Sequence, residues 1–118
     1  MDREIKPIEI RNTETKDVFT LEFTRDSVRF AEARGFDIQA FTEGKAPLTG
    51  TSDLFFYAFR AHHPKMSKAE TDKMLFEDMG GMPDGMVARL IELYSEPFNV
   101  LVDNEGDERK NSKLTVTF

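Results

Sequence analysis

His62-His63 is the first place in this chain where side chains suited to chemistry stand together, and the chemistry they suggest is metal binding. Neighbouring residues on a helix point about 100° apart, so an adjacent pair cannot chelate one ion as a His-x-x-x-His pair does. With 2 His and no Cys in 118 residues, soft ligands are too few for a transition-metal site. The expected place of both imidazoles is a helix C-terminus, where the dipole favours positive charge. Asp103-Asn104-Glu105-Gly106-Asp107-Glu108 resembles a calcium loop in composition only. An EF-hand loop needs glycine sixth and glutamate twelfth, whereas here glycine stands fourth and Leu114 twelfth. Glu92 and Glu96 share the polar face of a helix, where carboxylates are ordinarily solvated. The sequence contains no glycine-rich phosphate loop, Gly-x-Ser-x-Gly elbow or His-Glu-x-x-His helix, and Gly80-Gly81 reads as a helix terminator. The lack of cysteine removes disulfides and a thiol nucleophile. The expectation is a non-catalytic protein with no metal and no cofactor.

Binding is the alternative to catalysis, and composition narrows the partner. The 118 residues suit one domain. Leu, Ile, Val and Phe supply 30 of them, enough apolar surface to offset the entropy of folding. A net charge of −6 disfavours nucleic acid and anionic membrane surfaces as partners. Met1-Asp2-Arg3-Glu4 opens with charge, and no apolar run approaches the roughly 18 residues of a membrane span. A cytoplasmic location is therefore expected. With 11 Phe and 6 Met against 2 Tyr and no Trp, the apolar complement favours adaptable fillers of cores and of greasy binding surfaces.

The elements that must position these groups follow from periodicity. Ile8 to Ile10 and Val18 to Thr24 alternate with period two, and the polar stretch Arg11 to Asp17 is short enough to close an antiparallel hairpin. Thr24 is placed to cap a helix that ends at Gly35. Phe36, Ile38 and Phe41 anchor a short segment before a loop at Thr42 to Pro47. A second helix runs from Thr51 or Ser52 to His62 and stops at Pro64. Ser67-Lys68-Ala69-Glu70 is a capping box and opens a third, ending at Gly80-Gly81. Pro83 suits the first position of a fourth, whose stripe extends from Met86 to Val102 with a bend at Pro97. The predicted fold is α+β and predominantly helical. It divides into an N-terminal β-hairpin (1–24), a core of about four helices (25–102), a charged linker (103–113) and a terminal strand (114–118).

Two of these helices carry more apolar surface than a domain of this size needs. Phe55, Phe56, Tyr57 and Phe59 on the second, with Met86, Leu90, Tyr94 and Phe98 on the fourth, are the candidate partner-binding residues. Phe56 and Tyr57 lie off the stripe of Leu54, Phe55, Ala58 and Phe59 and are expected to be the exposed pair, while Leu90, Leu93 and Leu101 serve the core.

The order of three runs is familiar: Phe19-Thr20-Leu21-Glu22-Phe23-Thr24-Arg25-Asp26-Ser27-Val28 leading to Gly35-Phe36, then Leu54 to Pro64, then Leu90-Ile91-Glu92-Leu93-Tyr94-Ser95-Glu96-Pro97. Together they resemble the small tail assembly chaperones of long-tailed (siphovirus-type) phages and Gram-positive prophages. The resemblance covers most of residues 18–118, and its motifs are structural. It implies a cytoplasmic factor that binds and solubilises the helical tape measure protein, helps recruit major tail tube subunits, self-associates in some members and is absent from the mature virion. It also implies, for many members, a longer product of a −1 ribosomal frameshift. Arg109-Lys110-Asn111 can be encoded with the slippery heptamer A-AAA-AAC. The resemblance assigns no binding residues, so the candidate site rests on the helix arithmetic. Two other readings stay open: a permanent structural or connector subunit of a phage tail, and a small helical protein-interaction adaptor.

Overall fold

The computed structural model describes residues 5–101, 114 and 117, with backbone alone at 100 and 101. The charged linker, nearly all of the expected terminal strand and the Arg109-Lys110-Asn111 site lie outside the described residues.

The chain opens with an antiparallel hairpin of β1 (Ile8–Arg11) and β2 (Val18–Leu21), in the register Ile8↔Leu21 and Ile10↔Phe19. Those four side chains share the face that packs on the core. Asn12 shapes the turn: its Oδ1 accepts N–H bonds from Glu14 at 2.8 Å and Thr15 at 3.0 Å, and Lys16 takes a left-handed φ of 73°. Pairing stops at Leu21 rather than continuing to Thr24. Pro7 would stand opposite Glu22 and has no N–H to offer, and the Glu22 N–H bonds the Ala58 carbonyl at 3.0 Å instead. Phe23 still enters the core, 4 % exposed.

Helix α1 (Arg25–Ala33) begins as expected, with Thr24 and Ser27 exchanging a capping box. It ends in a Schellman motif: the Phe36 N–H bonds the Ala31 carbonyl and the Gly35 N–H bonds the Glu32 carbonyl. Gly35 holds φ 95° there, a backbone conformation that costs glycine nothing. The short α2 (Ile38–Thr42) is capped by Asp37. Helix α3 (Gly50–Phe59) is central, touched by β2, α1, the following α4 (Lys68–Lys73) and α5 (Met86–Ser95). It ends at Phe59, three residues before the expected His62. Pro64 drives His63 out of the helical region, and Arg60 to His62 form a turn.

The Ser67/Glu70 capping box starts α4 as expected. After Lys73 the helix widens into a π segment, Met74–Asp78, with the Met79 N–H reaching the Met74 carbonyl at 2.8 Å. The expected helix start at Pro83 is not observed. Pro83 lies in a turn whose carbonyl accepts the Met86 N–H at 3.1 Å, and Gly85, at φ 83°, precedes the first residue of α5. The expected single helix to Val102 is also broken: α5 stops at Ser95, and Glu96–Leu101 continues as a 3-10 helix. Pro97 has no N–H for the Leu93 carbonyl, so the α-helical ladder cannot continue through it. The architecture is α+β with helix dominant. Among the described residues no helix is long and apolar enough to cross a membrane.

Candidate functional site

Helix α3 presents almost every side of its surface to other elements, which decides where the candidate residues fall. Phe55 and Phe59 are 0 % and 1 % exposed, and on α5 Leu90 and Tyr94 are 0 % and 3 % exposed. Tyr57, expected at the surface, is buried. Phe36 closes over it with ring centroids 5.6 Å apart, and Phe30 of α1 approaches to 6.0 Å. The helical wheel placed Tyr57 off the main stripe but could not show that Phe30 of α1 and Phe36 of the corner after it cover that side. Of the eight candidates, Phe56, Met86 and Phe98 remain half-buried and accessible.

Four methionines that the wheel did not select share the half-buried state of Met86. Met66, Met74, Met79, Met82 and Met86 are all half-buried and all packed against the core. The described methionines thus stand at the boundary between core and solvent, none fully inside. Met74 and Met79, one π turn apart, face Ile10 and Phe19 across a cleft of about 310 Å³ under the tip of the hairpin. The composition signalled an adaptable apolar complement; its location at the rim needed tertiary structure.

The titratable groups serve architecture. His62 and His63 lie beyond the end of α3 and clasp the hairpin. His62 Nε2 stands 2.6 Å from Glu22 Oε1, and His63 Nε2 accepts the Thr20 N–H at 3.0 Å. The acceptor role requires His63 neutral, with its proton on Nδ1. Burial, and then the neighbouring His62, push its pKa below the ordinary value. The Tyr94 hydroxyl is raised, chiefly by burial and further by Glu32, Tyr57 and Asp37. Tyr57 is raised by burial and Asp53, against the opposing pull of Arg34 and Lys68. Among the described residues neither imidazole exchanges a hydrogen bond with a hydroxyl, and no group of three or more His, Asp or Glu is arranged to hold a metal ion. A second cleft of about 270 Å³, between the α1–α2 corner and the start of α3, is lined by Arg34, Lys45, Asp37 and Asp53. Its charges of both signs leave no net field to concentrate a ligand.

The three familiar runs meet in space. Besides the clasp of Thr20 and Glu22 by the two histidines, Phe23 packs on Tyr94 with centroids 4.9 Å apart. A family model described as a domain of unknown function, DUF5055, matches residues 3–118. The chain belongs to the DUF5055 family. No curated protein and no solved structure matches it. In this DUF5055 chain the match therefore takes in the hairpin, the central helix and the methionine rim together.

Proposed function

We propose that this chain is a non-catalytic, cytoplasmic tail assembly chaperone that keeps the tape measure protein soluble and helps recruit tail tube subunits. The observation that carries the reading is that Met66, Met74, Met79, Met82 and Met86, with Phe56 and Phe98, are all only partly buried at the edge of the core. Unbranched thioether chains repack at little cost, so such a rim can hold varied apolar helix faces without a preformed pocket. The net charge of −6 keeps a loaded complex in solution. The resemblance of the runs containing Phe19 to Val28, Leu54 to Pro64 and Leu90 to Pro97 supports the same reading, since these runs build the support on which the rim rests.

Co-expression with a phage tape measure protein tests the proposal. The chaperone should raise the soluble fraction of that protein, and the pair Phe56→Ser with Met86→Ser should lower it while the variant, less stable because both side chains pack on the core, still melts cooperatively above the assay temperature. A soluble fraction unchanged by the parent chain sinks the proposal. Presence in purified particles at fixed stoichiometry would make the chain a structural subunit instead.

A further inference from the structure

The hairpin has two edges, and the structure closes the one on β2 at Thr20 and Glu22. The N–H groups of these residues point away from β1, where His63 Nε2 takes the first at 3.0 Å and the Ala58 carbonyl takes the second at 3.0 Å. The register sets Glu9 opposite Thr20 and Arg11 opposite Val18. Directly opposed residues of an antiparallel pair face each other or turn away together, so the main-chain N–H and C=O groups of Glu9 and Arg11 point away from β2. Among the described residues none of these groups has a partner. The other side of β1 is also less covered: Leu21 of β2 is wholly buried, whereas Ile8 and Ile10 stay half-buried on the same face. An open edge commonly carries charge that repels other strands. Glu9 and Arg11 are such charges, both exposed and 4.0 Å apart. Being opposite in sign and two residues apart, they make the edge complementary to itself.

We infer that the β1 edge is a homodimer interface, on which a second copy of this chain pairs antiparallel about a two-fold axis at Ile10. In that register Glu9 of each copy lies opposite Arg11 of the other, and each such pair exchanges both of its N–H···O bonds. The side chains of the pair stand on the exposed face, at the separation where opposite charges stabilise neighbouring strands. On the reverse face Ile10 meets the same residue of the second copy. Sliding the strands by two residues sets Glu9 against Glu9 or Arg11 against Arg11, and like charges directly opposite repel. A slip of one residue sets the outward-facing groups against residues whose N–H and C=O already serve β2. The charges therefore select a copy of this strand over an arbitrary one and fix its register. The pairing is short, because Pro7 offers no N–H at one end and the Asn12 turn follows Arg11 at the other. It does not depend on what the partly buried methionines capture.

Sedimentation equilibrium of the full chain should show reversible dimerisation with a dissociation constant of roughly 100 µM, the weak end of specific association. Glu9→Arg and Arg11→Glu each set like charges across the edge, and each should weaken self-association by about tenfold or more. Mixed together, the two single variants match at every pair and should form a heterodimer about as tight as the parent dimer. The double swap, Glu9→Arg with Arg11→Glu, should restore self-association in one chain. Amide exchange at Glu9 and Arg11 should slow as the parent is concentrated. Both side chains are exposed, and melting curves verify that the variants keep the fold. A parent that stays monomeric up to about 1 mM overturns the inference, since a useful edge pairing would be populated there. So does a dimer that the single variants form as tightly as the parent, or a mixture of them that fails to pair. A dimer that leaves amide exchange at Glu9 and Arg11 unchanged uses another surface and overturns it as well.

Discussion

Tyr94 combines the deepest burial of any hydroxyphenyl group here with the poorest polar match. Its ring packs on Phe23 and Phe36, and its hydroxyl has no hydrogen-bond partner among the described residues. An unpaired buried hydroxyl costs about 1–3 kcal/mol. Tyr94→Phe keeps both ring contacts and removes the orphan, so it should raise stability by about 1 kcal/mol in urea unfolding. A lower midpoint would show that the hydroxyl is satisfied in solution. His63 gives the pH dependence. Its folded pKa lies below the ordinary value, so the unfolded chain takes up the proton first as pH falls. The stability tied to the Thr20 bond is therefore complete above about pH 6.5 and is lost as pH drops below that value toward the folded pKa. Melts of the parent and His63→Gln between pH 8 and pH 5 should converge on the acid side. Curves that stay parallel would remove His63 from the account.

Two kinds of helix start coexist at the scale of elements. At α4 the Glu70 N–H bonds Ser67 Oγ at 3.1 Å and the Ser67 N–H bonds Glu70 Oε1 at 2.8 Å. At α3 Thr49 makes no capping bond from its side chain. Ser67→Ala should therefore cost about 1 kcal/mol, whereas Thr49→Ala should stay within about 0.5 kcal/mol. Equal losses in chemical denaturation would show that the α4 box is not what secures that helix. The π segment after α4 has a different consequence. It buries Leu75 at 3 % exposure while Phe76 is left 62 % exposed, and it turns Met74 and Met79 together toward the hairpin. An uninterrupted α-helix would place residues five apart on different sides.

For the whole molecule, the contrast between Phe56 and Tyr57 separates folding from capture. Tyr57 lies under Phe30 and Phe36 at 7 % exposure. Tyr57→Ser should cost about 3 kcal/mol, a large part of the roughly 5–15 kcal/mol that a domain has, and capture should fall because the fold fails. Phe56→Ser should cost less, about 1–2 kcal/mol, because Phe56 is only partly buried against the core, and should weaken capture while the domain still folds. Thermal melts beside a co-solubilisation assay distinguish the two. A Phe56 variant that captures normally would remove the α3 side of the rim from the partner surface.

Local rules were sufficient wherever the decisive contact lies within a few residues. The Thr24 and Ser67 caps, the Gly35 terminus, an N-terminal hairpin and the helical class were all legible, though the second strand stops at Leu21 and not at the expected Thr24, because capping, turn chemistry and period depend on near neighbours along the chain. The helix starting at Met86 instead of Pro83 and the 3-10 turn after Ser95 were also local events, but two prolines and Gly85 offered competing outcomes that packing resolved. The surface was not legible. A wheel orders the faces of one helix and says nothing of which neighbour covers each, so Tyr57 and Phe56, adjacent and similarly apolar, could be separated only by the approach of Phe30 and Phe36 from other elements. Such long-range contacts are decided by how the elements pack, and tertiary structure alone reveals them.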